Sequence, residues 1–300
     1  MIGKTIVTLM LLAWIAKRVD WPQFFGGLGA LGALSWGALL TLQGIIVVLL
    51  GFRLSAVGDL PIRFTVPVTF KAQFFQVAAP AQLGSDMYRA WSLVNERRFS
   101  WTAATTQVLV DRGIGVATLA LYAIVAAVVG GFETEIVDVT LASDLSAMSY
   151  AAVAFGSAGV MLVAWLFRHH RHLSAVSCEI QRVWHRLTTA RVFAAVFYCL
   201  AMYLILAVMA LVVMHQLSEE SLAAAFAVPP LVQLATLVIP LSVNGIGVRE
   251  TAAVVLYGAH GFDPTASLLI VTAPFLASLF MAWIGFVWWS MDRARNVSEI

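Results

Sequence analysis

The succession of apolar runs along this chain restricts its fold more than any single motif does. The runs cover Ile2–Ala16, Leu28–Phe52, Phe64–Ala79, Thr102–Gly130, Tyr150–Phe167, Val192–Met214, Leu222–Leu241, Arg249–Gly258 and Ala266–Trp289. A helix that crosses a bilayer needs roughly 20 such residues, because hydrocarbon offers no water to exposed backbone groups. Composition agrees with this reading. Hydrophobic residues make up 61% of the 300 positions and charged residues only 11%, against about 45–50% and about 25% in soluble domains. A soluble domain cannot hide that much apolar side chain or dispense with a charged skin. A soluble enzyme, a disordered chain and a secreted disulfide scaffold are therefore excluded. The net charge of +2 is too small to imply a nucleic-acid partner. Cys178 and Cys199 give neither a disulfide framework nor a metal spacing.

The N-terminus has the look of a signal peptide, with Lys4 ahead of Ile6–Ala16. No small-x-small cleavage site follows, and Lys17 and Arg18 come next. An uncleaved first span with snorkelling basic side chains is expected. Three later runs are irregular. Phe64–Ala79 is short and carries Lys71, Gln73 and Gln76; Leu222–Leu241 is interrupted by Pro229-Pro230 and meets Pro240; the run after Arg249 is about ten residues long. Such segments are expected as re-entrant or discontinuous helices lining a cavity.

Basic loops set the expected orientation. Arg168–Arg191 holds five arginines and four histidines, and Arg97-Arg98 and Arg293/Arg295 fit the same side, so these should be cytoplasmic. The Gly131–Ser149 loop has Glu133, Glu135, Asp138 and Asp144 with no Lys or Arg, which fits the outside. Both termini are then inside. Trp21, Trp101, Trp165 and Trp288-Trp289 fall at span ends, where an aromatic belt belongs.

The fold class expected is all-α: a polytopic membrane protein of about six full spans plus two re-entrant or broken-helix hairpins, with eight or nine hydrophobic segments in total. The chain 1–300 reads as a single transmembrane domain. Within it, residues 28–130 and 192–290 follow the same order of elements (a span, a hairpin over Ile62–Leu93 or Leu222–Gly258, and a span) with opposite topology. Pro80 precedes Gly84 and Arg89, and Pro240 precedes Gly245, Gly247 and Arg249, the arginine coming nine residues after the proline each time. An inverted repeat with broken helices at its centre is a transporter architecture.

Few residues carry chemistry. Arg89, in Gly84-Ser85-Asp86-Met87-Tyr88-Arg89, offers a planar fork suited to a lipid phosphate, or else holds the bilayer edge or pairs with Asp86. Asp111 and Arg112 lie deep in an apolar run. Ionisable groups at such depth usually face a protein interior or a wet cavity. Neighbours on a helix point about 100° apart, so each needs a different partner. Arg89 or Arg249 suits Asp111, and Glu250 suits Arg112; a purely structural ion network is the alternative. In Asn244-Gly245-Ile246-Gly247-Val248-Arg249-Glu250, irregular backbone and charge coincide, although Glu250 also fits a helix cap. His169, His170 and His172 beside Arg168 and Arg171 read as a solvated basic loop, not a metal site. Gly26-Gly27-Leu28-Gly29 and Gly113-Ile114-Gly115 read as close helix packing. Gly3-Lys4-Thr5 lacks the upstream glycine of a phosphate loop. No metal, cofactor or nucleophilic triad is expected.

These residues resemble the transmembrane lipid-flippase domain of bacterial lysylphosphatidylglycerol synthases and its stand-alone relatives. The resemblance rests on Pro80, Gly84, Asp86 and Arg89, then Asp111-Arg112, then Gly245-Ile246-Gly247-Val248-Arg249-Glu250, in that order across about Arg53–Trp289. Asn244 stands where the family often has glycine. The resemblance implies movement of polar lipids between leaflets of a bacterial inner membrane, or a supporting role in glycolipid, hopanoid or aminoacyl-lipid metabolism. The run to Ile300 carries no aminoacyl-transferase domain, so lysine transfer is not expected.

Three expectations of function follow. The first is a flippase-like transporter with membrane lipids of anionic head group as partners. Arg89 and Arg249 then bind the head group, Asp86, Asp111, Arg112 and Glu250 form a charge network, and Pro80, Gly84, Pro240, Gly245 and Gly247 shape the backbone. The second is a membrane-embedded transferase on a lipid-linked donor, with Asp111 or Asp86 as base or metal ligand. The third is a membrane accessory subunit that docks a cytoplasmic biosynthetic enzyme through Arg168–Arg191.

Overall fold

The computed structural model describes residues 10–78, 83–129, 188–238 and 245–298 of the chain. The described secondary structure is helical throughout, with no strand among the described residues. After a helical stretch over 10–16 come α1 (Trp21–Ala30), α2 (Ala33–Gly58), α3 (Ile62–Ala78), α4 (Leu83–Arg97), α5 (Trp101–Val129), α6 (Thr189–Gln216), α7 (Leu222–Val238), α8 (Val248–Gly258) and α9 (Pro264–Ser298). Four of the described helices are long and apolar enough to cross a membrane, over Ala33–Gly58, Trp101–Ala126, Thr189–Gln216 and Pro264–Arg295. At 1.5 Å per residue each exceeds the roughly 30 Å of a hydrocarbon core. The chain is thus an all-α polytopic membrane protein. Much of the expected first span, the span over Tyr150–Phe167, the outer loop over Gly131–Ser149 and most of the basic loop lie outside the described residues, as do Pro80, Pro240 and Asn244.

The two expected hairpins are present as α3 with α4 and α7 with α8, each pair in contact. Proline does not interrupt α7, contrary to expectation: the helix runs through Pro229 and Pro230. A proline removes one backbone donor and crowds the preceding turn, but neighbouring helices support the chain there. Val228 and Val232 are buried in the main core, which pins both sides of the pair.

That core joins α2, α6, α7, α8 and α9 through Leu39, Met209, Met214, Val228, Tyr257 and Ile270, among others. Helix contacts follow a paired scheme. Exchanging α2 with α6, α3 with α7, α4 with α8 and α5 with α9 converts each extensive contact among these eight helices into another. The α3–α9 contact, for example, becomes α7–α5, and α4–α5 becomes α8–α9.

Glycine lets two helices close on α3. A β-carbon on Gly51 of α2 would lie 2.9 Å from Val66 Cα, and one on Gly285 of α9 would lie 2.1 Å from the Phe70 carbonyl oxygen. Only glycine permits such backbone approach. Lys71 of α3 pairs with Asp292 near the end of α9, fixing the same contact. Of the other glycines read as packing sites, Gly27 faces Leu269, Gly26, Gly29 and Gly113 face open space, and Gly115 faces the Arg53 guanidinium.

Candidate functional site: a buried charge cluster between the hairpins

In α4 the positions Ser85, Arg89, Ser92 and Leu93 recur at helical spacing on a buried face, while Met87, Trp91 and Asn95 face outward. Arg89 is 5% exposed. The equivalent stripe of α2 runs Gln43, Ile46, Leu50 and Arg53, and α5 adds Asp111, Arg112, Gly115, Val116 and Leu119. These stripes meet around a cavity of about 240 Å³ that holds Arg53, Arg89, Arg112, Asp86 and Asp111, closed by Gln76, Tyr203, Gln233 and Thr236 among others.

Asp111 is 1% exposed and takes a fork from Arg53, with Nε to Oδ1 at 2.8 Å and Nη2 to Oδ2 at 2.7 Å. The Arg89 guanidinium lies 3.8 Å from Asp111 and 3.9 Å from Asp86, both outside hydrogen-bond reach. Its buried Nε has no hydrogen-bond partner among the described residues. Arg112 pairs with Asp86, across the cavity mouth where both are part-exposed. Three arginines against two aspartates leave this cavity one positive charge in surplus.

Two details hold Arg53 in place. A β-carbon on Gly115 would lie 2.7 Å from Arg53 Nη1, so the guanidinium rests where a side chain would otherwise project. The Gly115 carbonyl accepts from the Tyr203 hydroxyl at 3.1 Å, and Arg53 Nη1 also lies 3.5 Å from Cys199 Sγ.

A second cavity, about 280 Å³, adjoins the first and shares Leu50, Gln76, Gln233 and Thr236 with it. Arg249 lines it, with its guanidinium 3.7 Å above the Phe275 ring and paired to Glu250. Glu250 also accepts from the Gly247 amide at 2.7 Å, capping α8. Gly247 has φ 88°, a left-handed setting that glycine adopts freely. The stripe α9 gives to this cavity, Ile270, Val271, Pro274, Phe275 and Ser278, has the same spacing as the α5 stripe. Ile270-Val271 stand in it where α5 has Asp111-Arg112.

The expected site residues thus divide. Arg89, Asp86, Asp111 and Arg112 gather at one cavity, whereas Arg249 and Gly245 line the other and Glu250 lines neither. Gly84 is buried at the start of α4. The partners agree with expectation in part: Asp111 has Arg89 3.8 Å away, as one alternative had it, but its fork comes from Arg53 and not from Arg249, and Arg112 binds Asp86 and not Glu250. The reason is reach, since Glu250 is held by its own cap and by the adjacent Arg249. Arg53 was missed by sequence reasoning because it ends an apolar run, where an arginine that snorkels looks the same. Its spacing of three residues from Leu50 and seven from Ile46 was the available signal.

Long apolar helices around two hairpins and a buried charge cluster define a polytopic membrane protein with a polar cluster among its helices. The profile of the lysylphosphatidylglycerol synthase TM region family matches residues 1–285, and the chain belongs to that family. No curated protein and no solved structure matches the chain.

Proposed function

We propose that this protein is a lipid transporter, not an enzyme, and moves a polar or anionic membrane lipid between the leaflets of a bacterial inner membrane. The observation that carries the reading is Arg89, 5% exposed and facing a cavity, whose buried Nε has no hydrogen-bond partner among the described residues. Burying an unfilled guanidinium donor is expensive, and a phosphate oxygen fits its planar fork. The head group passes from the charged cavity across the shared wall of Gln76, Gln233 and Thr236 to Arg249, while the acyl chains stay in lipid. The paired contact scheme supports two related halves, 28–130 and 192–290; their inverted orientation, with both termini cytoplasmic, is part of the proposal. Asp111 serves as the fixed counter-ion of two arginines, Arg53 and Arg89. Its two oxygens are engaged by Arg53, which makes it a poor base or metal ligand and disfavours the transferase reading.

Proteoliposomes with a head-group-accessible fluorescent phosphatidylglycerol test this. Wild-type protein should speed inward loss of the label over empty vesicles. Arg89→Ala should slow it about tenfold, the worth of one charge-assisted hydrogen bond. Rates equal to empty vesicles for every lipid tried would sink the reading.

A further inference from the structure

The polar surface of the two cavities is uneven in kind. Gln43 of α2, Gln73 and Gln76 of α3 and Gln233 of α7 all line the second cavity, and Gln43 and Gln73 are 9% and 7% exposed. None of the four amides hydrogen-bonds another described residue. An amide both donates and accepts and carries no charge. Four of them around one space complement groups that also donate and accept without charge, which describes hydroxyls.

The carboxylates tell the other half. Asp86 and Asp111 are the acids that line these cavities among the described residues, and Asp86 is paired with Arg112 while Asp111 is forked by Arg53. Glu250, beside Arg249, is taken up by that arginine and by the Gly247 amide. No described carboxylate at these two cavities is left to receive an ammonium group. The surplus positive charge next door repels one.

We infer that the lipid carried here has an anionic phosphate and an uncharged, hydroxyl-bearing head group of the glycerol, polyol or sugar kind, and that a head group with a free amine is rejected. The phosphate sits at Arg89 and the hydroxyls lie against the glutamines. This rests on the transport reading for its meaning, but it is a statement about recognition and is read by binding.

The test is lipid binding to the full chain in neutral detergent, by native mass spectrometry. The probes are phosphatidylglycerol, lysylphosphatidylglycerol and phosphatidic acid, which has the phosphate and no head-group hydroxyls. Phosphatidylglycerol should bind about tenfold or more above the lysyl lipid. Gln43→Leu with Gln233→Leu should bring phosphatidylglycerol down to the level of phosphatidic acid and leave phosphatidic acid unchanged. Gln233→Glu should raise lysyl-lipid binding, a gain that misfolding cannot produce. Equal or stronger binding of the lysyl lipid by wild type overturns the inference, as does a Gln233→Glu variant without the gain, or binding no stronger than detergent background. If the binding preference holds and no lipid crosses in proteoliposomes, transport fails and the recognition stands. If the lysyl lipid crosses fastest, transport stands and the inference falls.

Discussion

Asp111 is the one lining carboxylate with almost no exposure, and two arginines depend on it. Asp111→Asn would leave the Arg53 and Arg89 guanidinium groups buried without their counter-charge. Breaking a buried pair in this way costs about 3–5 kcal/mol, so the variant should melt well below wild type in detergent. Asp86→Asn should cost less, about 1 kcal/mol or under, because its pair with Arg112 is part-exposed at 17% and 31%. The same thermal melts compare the two. Gly115→Ala tests placement in place of charge. Its β-carbon would meet Arg53 Nη1 at 2.7 Å and turn the fork off Asp111, so lipid movement should fall while the helical fold persists by circular dichroism. Asp111 was legible in the sequence because a charge inside an apolar run has no bland place to go. Its partner was not, because partner choice depends on how α2 is rotated against α5, and spacing within either helix leaves that rotation open.

The first hairpin is anchored closely on two sides. Gly51 and Gly285 bring α2 and α9 against the α3 backbone, and Lys71–Asp292 closes the contact. Gly285→Ala would place a methyl 2.1 Å from the Phe70 carbonyl oxygen and must push α9 away from α3. A loss of about 1–3 kcal/mol is expected. Gly37→Ala on α2 meets nothing within 4 Å and should be neutral or stabilise by up to about 1 kcal/mol. A difference in melting temperature between the two variants checks this. Element order and hairpin limits were readable from run length and from Gly84, Gly245 and Gly247. The continuity of α7 through Pro229-Pro230 was not, because a proline's effect depends on the helices that press on it.

Taken as a whole, the molecule repeats its contacts and does not repeat its charges. The α5 and α9 stripes share one spacing, yet the first presents Asp111-Arg112 and the second Ile270-Val271. One cavity holds a surplus guanidinium, and the other holds an arginine already paired with Glu250 beside uncharged amides. On the proposed path an anionic head group would be gripped at Arg89 and held more loosely at Arg249, which would allow release. The repeated Pro–Gly–Arg spacing made the correspondence of halves visible in the sequence. The split into two cavities was hidden, since it depends on Gln76 of α3 and Gln233 of α7 lining the wall that both cavities share. Those two residues also provide the most direct test. In a background with Cys178→Ser and Cys199→Ser, cysteines introduced at Gln76 and Gln233 are joined by a short reducible cross-linker in proteoliposomes. Lipid movement should stop on cross-linking and return on reduction. Movement at an undiminished rate with the two hairpins locked together would contradict a path between them.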